Sequence, residues 1–177
     1  MARGWQAGFN EARPVGGNLS AHGRYVSLVK KEPGSMAPAI AVLGLLRRGY
    51  LGTAMLIGLN IHLRQFETVV RSGDVCSSVC TMIWLAGKPR HLGRLAKLGF
   101  HSAAYPDTEM RNEEGNQTIA EYFKSIGVPQ QVIDLQPMAD PCCLNYVDYL
   151  QAKVWVLLKE KPTKQELQEV ADRKVFG

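Results

Sequence analysis

The stretch 71–101, RSGDVCSSVCTMIWLAGKPRHLGRLAKLGFH, decides how this chain folds, because it passes from a turn through a short strand and an apolar helix into a second strand. Gly73 and Asp74 read as the turn and Val75 as the end of the short strand. Residues 79–86 read as a buried helix closed at its C-terminus by Gly87. Ser78 then stands at the helix N-terminus, where free backbone N–H groups and the positive end of the helix dipole face any oxyanion formed beside its hydroxyl. A serine that merely caps a helix occupies the same place. His101 follows a strand expected over residues 95–100, so the segment delivers a hydroxyl and an imidazole from successive elements. Serine needs a base within hydrogen-bond reach to attack a carbonyl, and histidine has the unperturbed pKa nearest neutrality. The competing reading is a core histidine with both nitrogens satisfied locally. His22, His62 and His91 have no comparable setting.

Working outward, strands and helices alternate. Residues 51–63 predict a mostly apolar helix, residues 68–70 a β-branched strand running into the Gly73 turn, and residues 37–46 a buried strand that ends at Arg47 and Arg48. Residues 105–116 are polar and acidic and read as a loop over the cleft or toward a partner. Thr118 and Glu121 frame a capping box ahead of Tyr122, Phe123 and Ile126, with Gly127 and Pro129 as stop signals; Thr163 and Glu166 repeat the device before Leu167 and Val170. Trp84 and Trp155 sit at helical positions where core packing is the ordinary use. Alternation of this kind marks an α/β domain.

The 177 residues, 46% hydrophobic and 21% charged, suit one globular domain. Residues 1–60 carry seven Lys or Arg against two Asp or Glu, and residues 61–177 fourteen of each, so the net charge of +5 is N-terminal. Those cationic residues lie among Gly, Pro and Ser with no aromatic interleaving and no nucleic-acid motif, which argues against a nucleic-acid partner. Residues 1–35, with six glycines and two prolines and no apolar period, are expected to form a poorly ordered leader, and residues 36–177 the folded domain. No apolar run followed by a small-residue cleavage site occurs in the first thirty residues, and residues 37–46 are too short to span a bilayer. Either the chain is cytoplasmic as given, or its natural N-terminus differs.

Cys76-Ser77-Ser78-Val79-Cys80-Thr81, then Leu85-Ala86-Gly87-Lys88-Pro89-Arg90, then Leu98-Gly99-Phe100-His101, resemble the bacterial periplasmic-type proteins of the Clp protease/crotonase superfamily. Their pattern is Cys-x-Ser-Ala-Cys-Thr, an Ala-Gly-x-x-Arg turn and a Leu-Gly-Phe-His strand. Residues 49–58 resemble the segment after the family's Ser-Pro-Gly-Gly loop; its second glycine remains as Gly49, with Arg47 and Arg48 where proline and glycine stand in the family. Residues 149–157 resemble the closing helix. The resemblance implies the ββα spiral of that superfamily and a serine peptidase-like hydrolase, with Ser78 as nucleophile and His101 as base. It also implies an oxyanion hole from the Gly49 and Val79 N–H groups, a peptide or protein substrate, no cofactor, and self-assembly into an oligomer. Members are often periplasmic or exported.

Triad logic asks for a carboxylate to fix the histidine tautomer, which the family places shortly before its closing helix. Asp140 is the first choice, with an Asp-Pro turn as its alternative use; Asp148 doubles as a cap for a helix beginning at Tyr149, and Asp134 follows an apolar run. Cys76 and Cys80 flank Ser78, while Cys142 and Cys143 are adjacent, a spacing that does not suit structural zinc. Cys80 reads as a small buried hydrophobe, a disulfide partner of unspecified pairing, or a less favoured nucleophile. Two further classes stay open: a catalytically inactive Clp-like interaction module, and a crotonase-type enzyme binding acyl-coenzyme A.

Overall fold

A computed structural model of the chain describes residues 26–30, 39–43, 51–105 and 107–175. The elements in chain order are β1 (Val26–Lys30), β2 (Ala39–Leu43), α1 (Leu51–Leu63), β3 (Glu67–Val70), β4 (Val75–Ser77), α2 (Val79–Leu85), β5 (Arg90–Leu92), β6 (Lys97–Phe100), α3 (Glu113–Ser125), α4 (Gln130–Leu135), β7 (Asn145–Val147), α5 (Tyr149–Val154) and α6 (Lys164–Val175). The mixed α/β class expected from the sequence is present. One sheet runs β2-β1-β3-β5, with β1 antiparallel to β2 and β3 and with β3 parallel to β5. The other runs β4-β6-β7, with β4 and β6 parallel and β7 antiparallel to β6. β1 lies within the stretch expected as a leader; residues 1–25 and 31–35 of that stretch lie outside the described residues.

The helix α2 is the hub. Cys80, Thr81, Met82, Ile83, Trp84 and Leu85 are all buried, as a helix apolar on every side must be, and it touches α1, β1, β3, β4 and β6. Its C-terminal end is tied to the first sheet by side chains. Thr68 Oγ1 donates to Trp84 O at 2.7 Å, and Trp84 Nε1 donates to His91 O at 3.1 Å. Gly87 follows because a Cβ there would come within 2.0 Å of Thr68 Oγ1. The opposite face of α2 meets α1 and α3: the buried Tyr122 hydroxyl donates to Met82 O at 3.1 Å. Trp84, Leu85, Leu98, Phe100, Phe123 and Trp155 belong to one large apolar cluster among the described residues.

Four elements depart from the sequence reading. Helix α3 begins at Glu113 rather than at a Thr118 cap, because Asn112 Oδ1 accepts the Gly115 N–H at 2.9 Å and Glu113 and Glu114 occupy the favourable first turn. Thr118 lies inside that helix, donating back to Glu114 O. Asp134, expected just after an apolar run with no helix assigned there, lies in α4. The short strands β5 and β7 were not expected, being only three residues long and lacking a resolvable period. The Thr163 box is as expected: Thr163 N–H donates to Glu166 Oε2 and Glu166 N–H to Thr163 Oγ1. Asp148 caps α5, accepting from Gln151 N–H at 2.9 Å.

Candidate active site

The parallel pairing of β4 with β6 sets the site. Register places Ser77 opposite Gly99, so the chain leaves the carboxyl ends of two neighbouring strands at Ser78 and at His101. Ligands of open α/β sheets characteristically bind beyond such strand ends. The two strands approach closely at this point, since a Cβ on Gly99 would lie 2.8 Å from Ser77 Cβ. Glycine is the side chain that fits.

Ser78 is not an ordinary cap. Its backbone has φ 60° and ψ −131°, and its hydroxyl makes no capping hydrogen bond. A non-glycine residue at such a φ stores about 1–3 kcal/mol of strain and persists only where its surroundings over-determine it. Here they do. Ser78 N–H donates to Gly99 O at 2.9 Å, extending the β4–β6 ladder by one step, and Ser78 O accepts from Thr81 N–H at 2.9 Å and from Thr81 Oγ1 at 2.6 Å. Cys76 and Cys80 are joined in a disulfide that clasps the strand, the turn and the first helical turn around Ser78. A sharp strand-to-helix turn that exposes a serine Oγ is how nucleophile elbows present their hydroxyl. Cys80, being disulfide-bonded, offers no thiolate, so the less favoured reading of it as nucleophile is corrected in favour of the disulfide reading.

His101 is held from behind. Its Nδ1 lies 2.7 Å from Ser102 O, and because a carbonyl only accepts, Nδ1 carries a proton; in the neutral ring the Nε2 lone pair is then the accepting one. The flanking backbone is fixed by buried amides. Gln136 Nε2 donates to His101 O at 2.8 Å, and Asn116 Oδ1 accepts from Ala103 N–H at 2.7 Å. Gln136 also reaches Asn116 Oδ1 at 3.4 Å, linking α3, α4 and the His101 strand end. Ser102 N–H donates to Ala139 O at 2.9 Å.

Ser78, Val79 and His101 line one cavity of about 180 Å³. Its other walls are mostly apolar, from Leu51, Met82, Phe100, Ile119 and Phe123, with Ser102 and Gln136 as polar members. The Ser102 hydroxyl is buried and has no hydrogen-bond partner. Among the described residues no direct hydrogen bond joins Ser78 Oγ to His101; in unliganded sites such bonds are often long and tighten on substrate binding. Val79, the first residue of α2, carries a backbone N–H without an acceptor in the preceding turn of helix. Gly49 lies outside the described residues.

Each of the three candidate acids has a partner other than His101. Asp140 is solvent-exposed, with Arg111 Nη1 at 3.9 Å, and His101 Nδ1 has the Ser102 carbonyl as its partner. Asp134 accepts from Gln130 on α4, and Asp148 caps α5. Sequence reasoning missed Gln136, Asn116 and the Ser102 carbonyl. The first two gave no signal beyond being polar residues in apolar surroundings, and a main-chain carbonyl gives none at all.

Among the described residues no cluster of three or more His, Cys, Asp or Glu side chains is placed to hold a metal, and no helix is long and apolar enough to cross a membrane. A scan against known protein-family models and a search of curated proteins both return no match for this chain.

Proposed function

We propose that this chain is a serine hydrolase of the Clp protease/crotonase type, with the ββα spiral of that superfamily, and that it cleaves peptide bonds. One observation carries the reading: a serine held at a positive φ at the end of β4 shares a cavity with a histidine at the end of the parallel strand β6. Ser78 Oγ attacks the substrate carbonyl carbon while its proton passes to His101 Nε2, the nitrogen left unprotonated by the Nδ1 bond to Ser102 O. The Val79 N–H, and by resemblance that of Gly49, receive the oxyanion. His101 returns the proton to the leaving amine, and water then releases the acyl group by the same route. The Ser102 carbonyl performs the tautomer-fixing half of what a triad carboxylate does, without its negative charge.

The cavity is close in size to the roughly 150 Å³ apolar cavity that accepts benzene, so it suits one apolar side chain of a peptide. Drug-sized and cofactor-sized ligands occupy about 300–1,000 Å³, which disfavours acyl-coenzyme A in this cavity. The Cys76–Cys80 disulfide fits an oxidising compartment, in keeping with the exported members of the resembling family. An inactive interaction module is the second reading, favoured by an exposed Asp140 and the lack, among the described residues, of a carboxylate bonded to His101. Labelling with a fluorophosphonate probe separates the two. Wild type is expected to label, and Ser78→Ala and His101→Ala to lose at least about a thousandfold in rate, the order of loss seen when one member of a nucleophile–base pair is removed. A folded wild type that does not label overturns the hydrolase reading in favour of the module.

A further inference from the structure

Cysteine is among the most buried residue types, yet Cys142 and Cys143 are both exposed and both free. Their sulfurs lie 2.6 Å apart, in direct contact, on a turn closed by the Cys143 N–H bond to Asp140 O at 2.9 Å. Two thiols are too few for a four-coordinate structural metal, and no third ligand stands near enough to complete a metal cluster among the described residues. What an adjacent, solvent-facing pair does well is exchange with disulfides. We propose that Cys142 and Cys143 form a reversible vicinal dithiol–disulfide couple, a modification site whose reaction partners are low-molecular-weight disulfides and thiols of the glutathione class.

The chemistry balances as follows. The Cys142 thiolate attacks one sulfur of the small disulfide, breaking its S–S bond, and one small thiol leaves with a proton. The Cys143 thiolate, formed as its proton passes to water, then attacks the Cys142 sulfur of the mixed disulfide and expels the second small thiolate, which takes up a proton. The protein dithiol loses two electrons and two protons, and the small disulfide is reduced to two thiols. The order follows from the turn. The neighbouring Cys142 sulfur, and after it burial and the Asp140 carboxylate, hold the Cys143 thiol above its ordinary pKa, which favours Cys142 as the first nucleophile and Cys143 as the resolving one. Adjacent Cα atoms are about 3.8 Å apart across a trans peptide, short of the roughly 4.4–6.8 Å span of ordinary disulfides, so the oxidised form is strained and readily reduced. Exposed, strained disulfides are the labile class, whereas Cys76–Cys80 is buried. The turn that carries the couple starts at Asp140, directly after Ala139, whose carbonyl accepts from Ser102 N–H.

The test needs no enzymatic turnover. Full-length protein is reduced mildly enough to keep Cys76–Cys80, exposed to oxidised glutathione, alkylated and mapped by mass spectrometry. The peptide holding Cys142 and Cys143 is expected to lose two hydrogens and both alkylation sites, at a rate independent of protein concentration, and to regain them with dithiothreitol. Phenylarsine oxide, which bridges paired thiols, is expected to bind the reduced wild type and to lose that binding in Cys142→Ser and in Cys143→Ser. Cys143→Ser is expected to stop at a stable glutathione adduct on Cys142. A stable glutathione adduct on the wild type, covalent dimers through either cysteine, or equal arsenical binding by the single-serine variants overturns the proposal.

Discussion

The two halves of the site are held by different means. Ser78 is fixed by its own neighbourhood: a disulfide across four positions, a hydrogen bond to the adjacent strand, and Thr81 three residues on. His101 is fixed from a distance, by Gln136 at the C-terminal cap of α4 and by Asn116 of α3 acting through Ala103. The proposed nucleophile is thus placed by local backbone geometry and the proposed base by tertiary structure. The first arm holds position even if the surrounding helices loosen, while the second depends on α3 and α4 being docked. The Ser78 arm therefore carries the strain and the His101 arm the buried polar network.

The sharpest way to break this contrast is to remove the clasp. Cys76→Ala with Cys80→Ala is expected to cost about 2 kcal/mol in chemical denaturation, the order for a disulfide closing so short a loop. If the clasp is what holds φ 60° at Ser78, release of a similar amount of strain lets the elbow relax. Fluorophosphonate labelling then falls roughly thirtyfold, the factor equivalent to 2 kcal/mol. A variant that loses stability but labels at the wild-type rate shows that the bonds from Gly99 and Thr81 hold the elbow alone.

A smaller effect is expected on the other arm. Gln136→Met keeps the side-chain volume but removes the donor to His101 O and to Asn116 Oδ1. Losing one partner of a buried hydrogen bond costs about 1–3 kcal/mol. Labelling is expected to fall by up to about tenfold because the imidazole is less well placed, while Ser78 keeps its backbone bonds. If the Gln136 variant labels more slowly than the double-cysteine variant, the ranking of the two arms is reversed, and tertiary docking rather than the local clasp limits reactivity.

This difference in support also explains what the sequence disclosed. Ser78 could be read from its setting because everything that holds it lies within residues 76–81, apart from Gly99, and the strand–turn–helix passage is a local pattern. The apolar helices α1 and α2 and the strands β3 and β6 were legible in outline for the same reason, as runs with a period or a cap. The tautomer-fixing partner of His101 was not legible, because it is a main-chain carbonyl and carbonyls leave no mark in a sequence. Gln136 was hidden because α4 is only six residues long, too short to show a face. The start of α3 was displaced toward Thr118 by a pattern that matched a capping box, while Asn112, the residue that does the capping, sat within a stretch read as loop. The parallel register of β4 and β6, which brings serine and histidine together, is a long-range pairing that no local pattern encodes.

The smallest expected effect belongs to Ser102→Ala, and it is the most discriminating. The Ser102 hydroxyl is fully buried and unpartnered, so it pays desolvation without a hydrogen bond in return, and its removal is expected to leave stability unchanged or raise it by up to about 1 kcal/mol. The group that fixes the His101 tautomer is the Ser102 carbonyl, which alanine retains, so labelling is expected to stay within about twofold of wild type. The probe measures only the reactivity of Ser78, whereas under the proposed function a peptide substrate would also fill the cavity that Ser102 lines. Unchanged labelling with weakened peptide turnover would place the hydroxyl in substrate contact. Slower labelling would instead mean that the hydroxyl acts on His101 or Ser78, and the base would then be held partly by its nearest neighbour, narrowing the difference between the two arms.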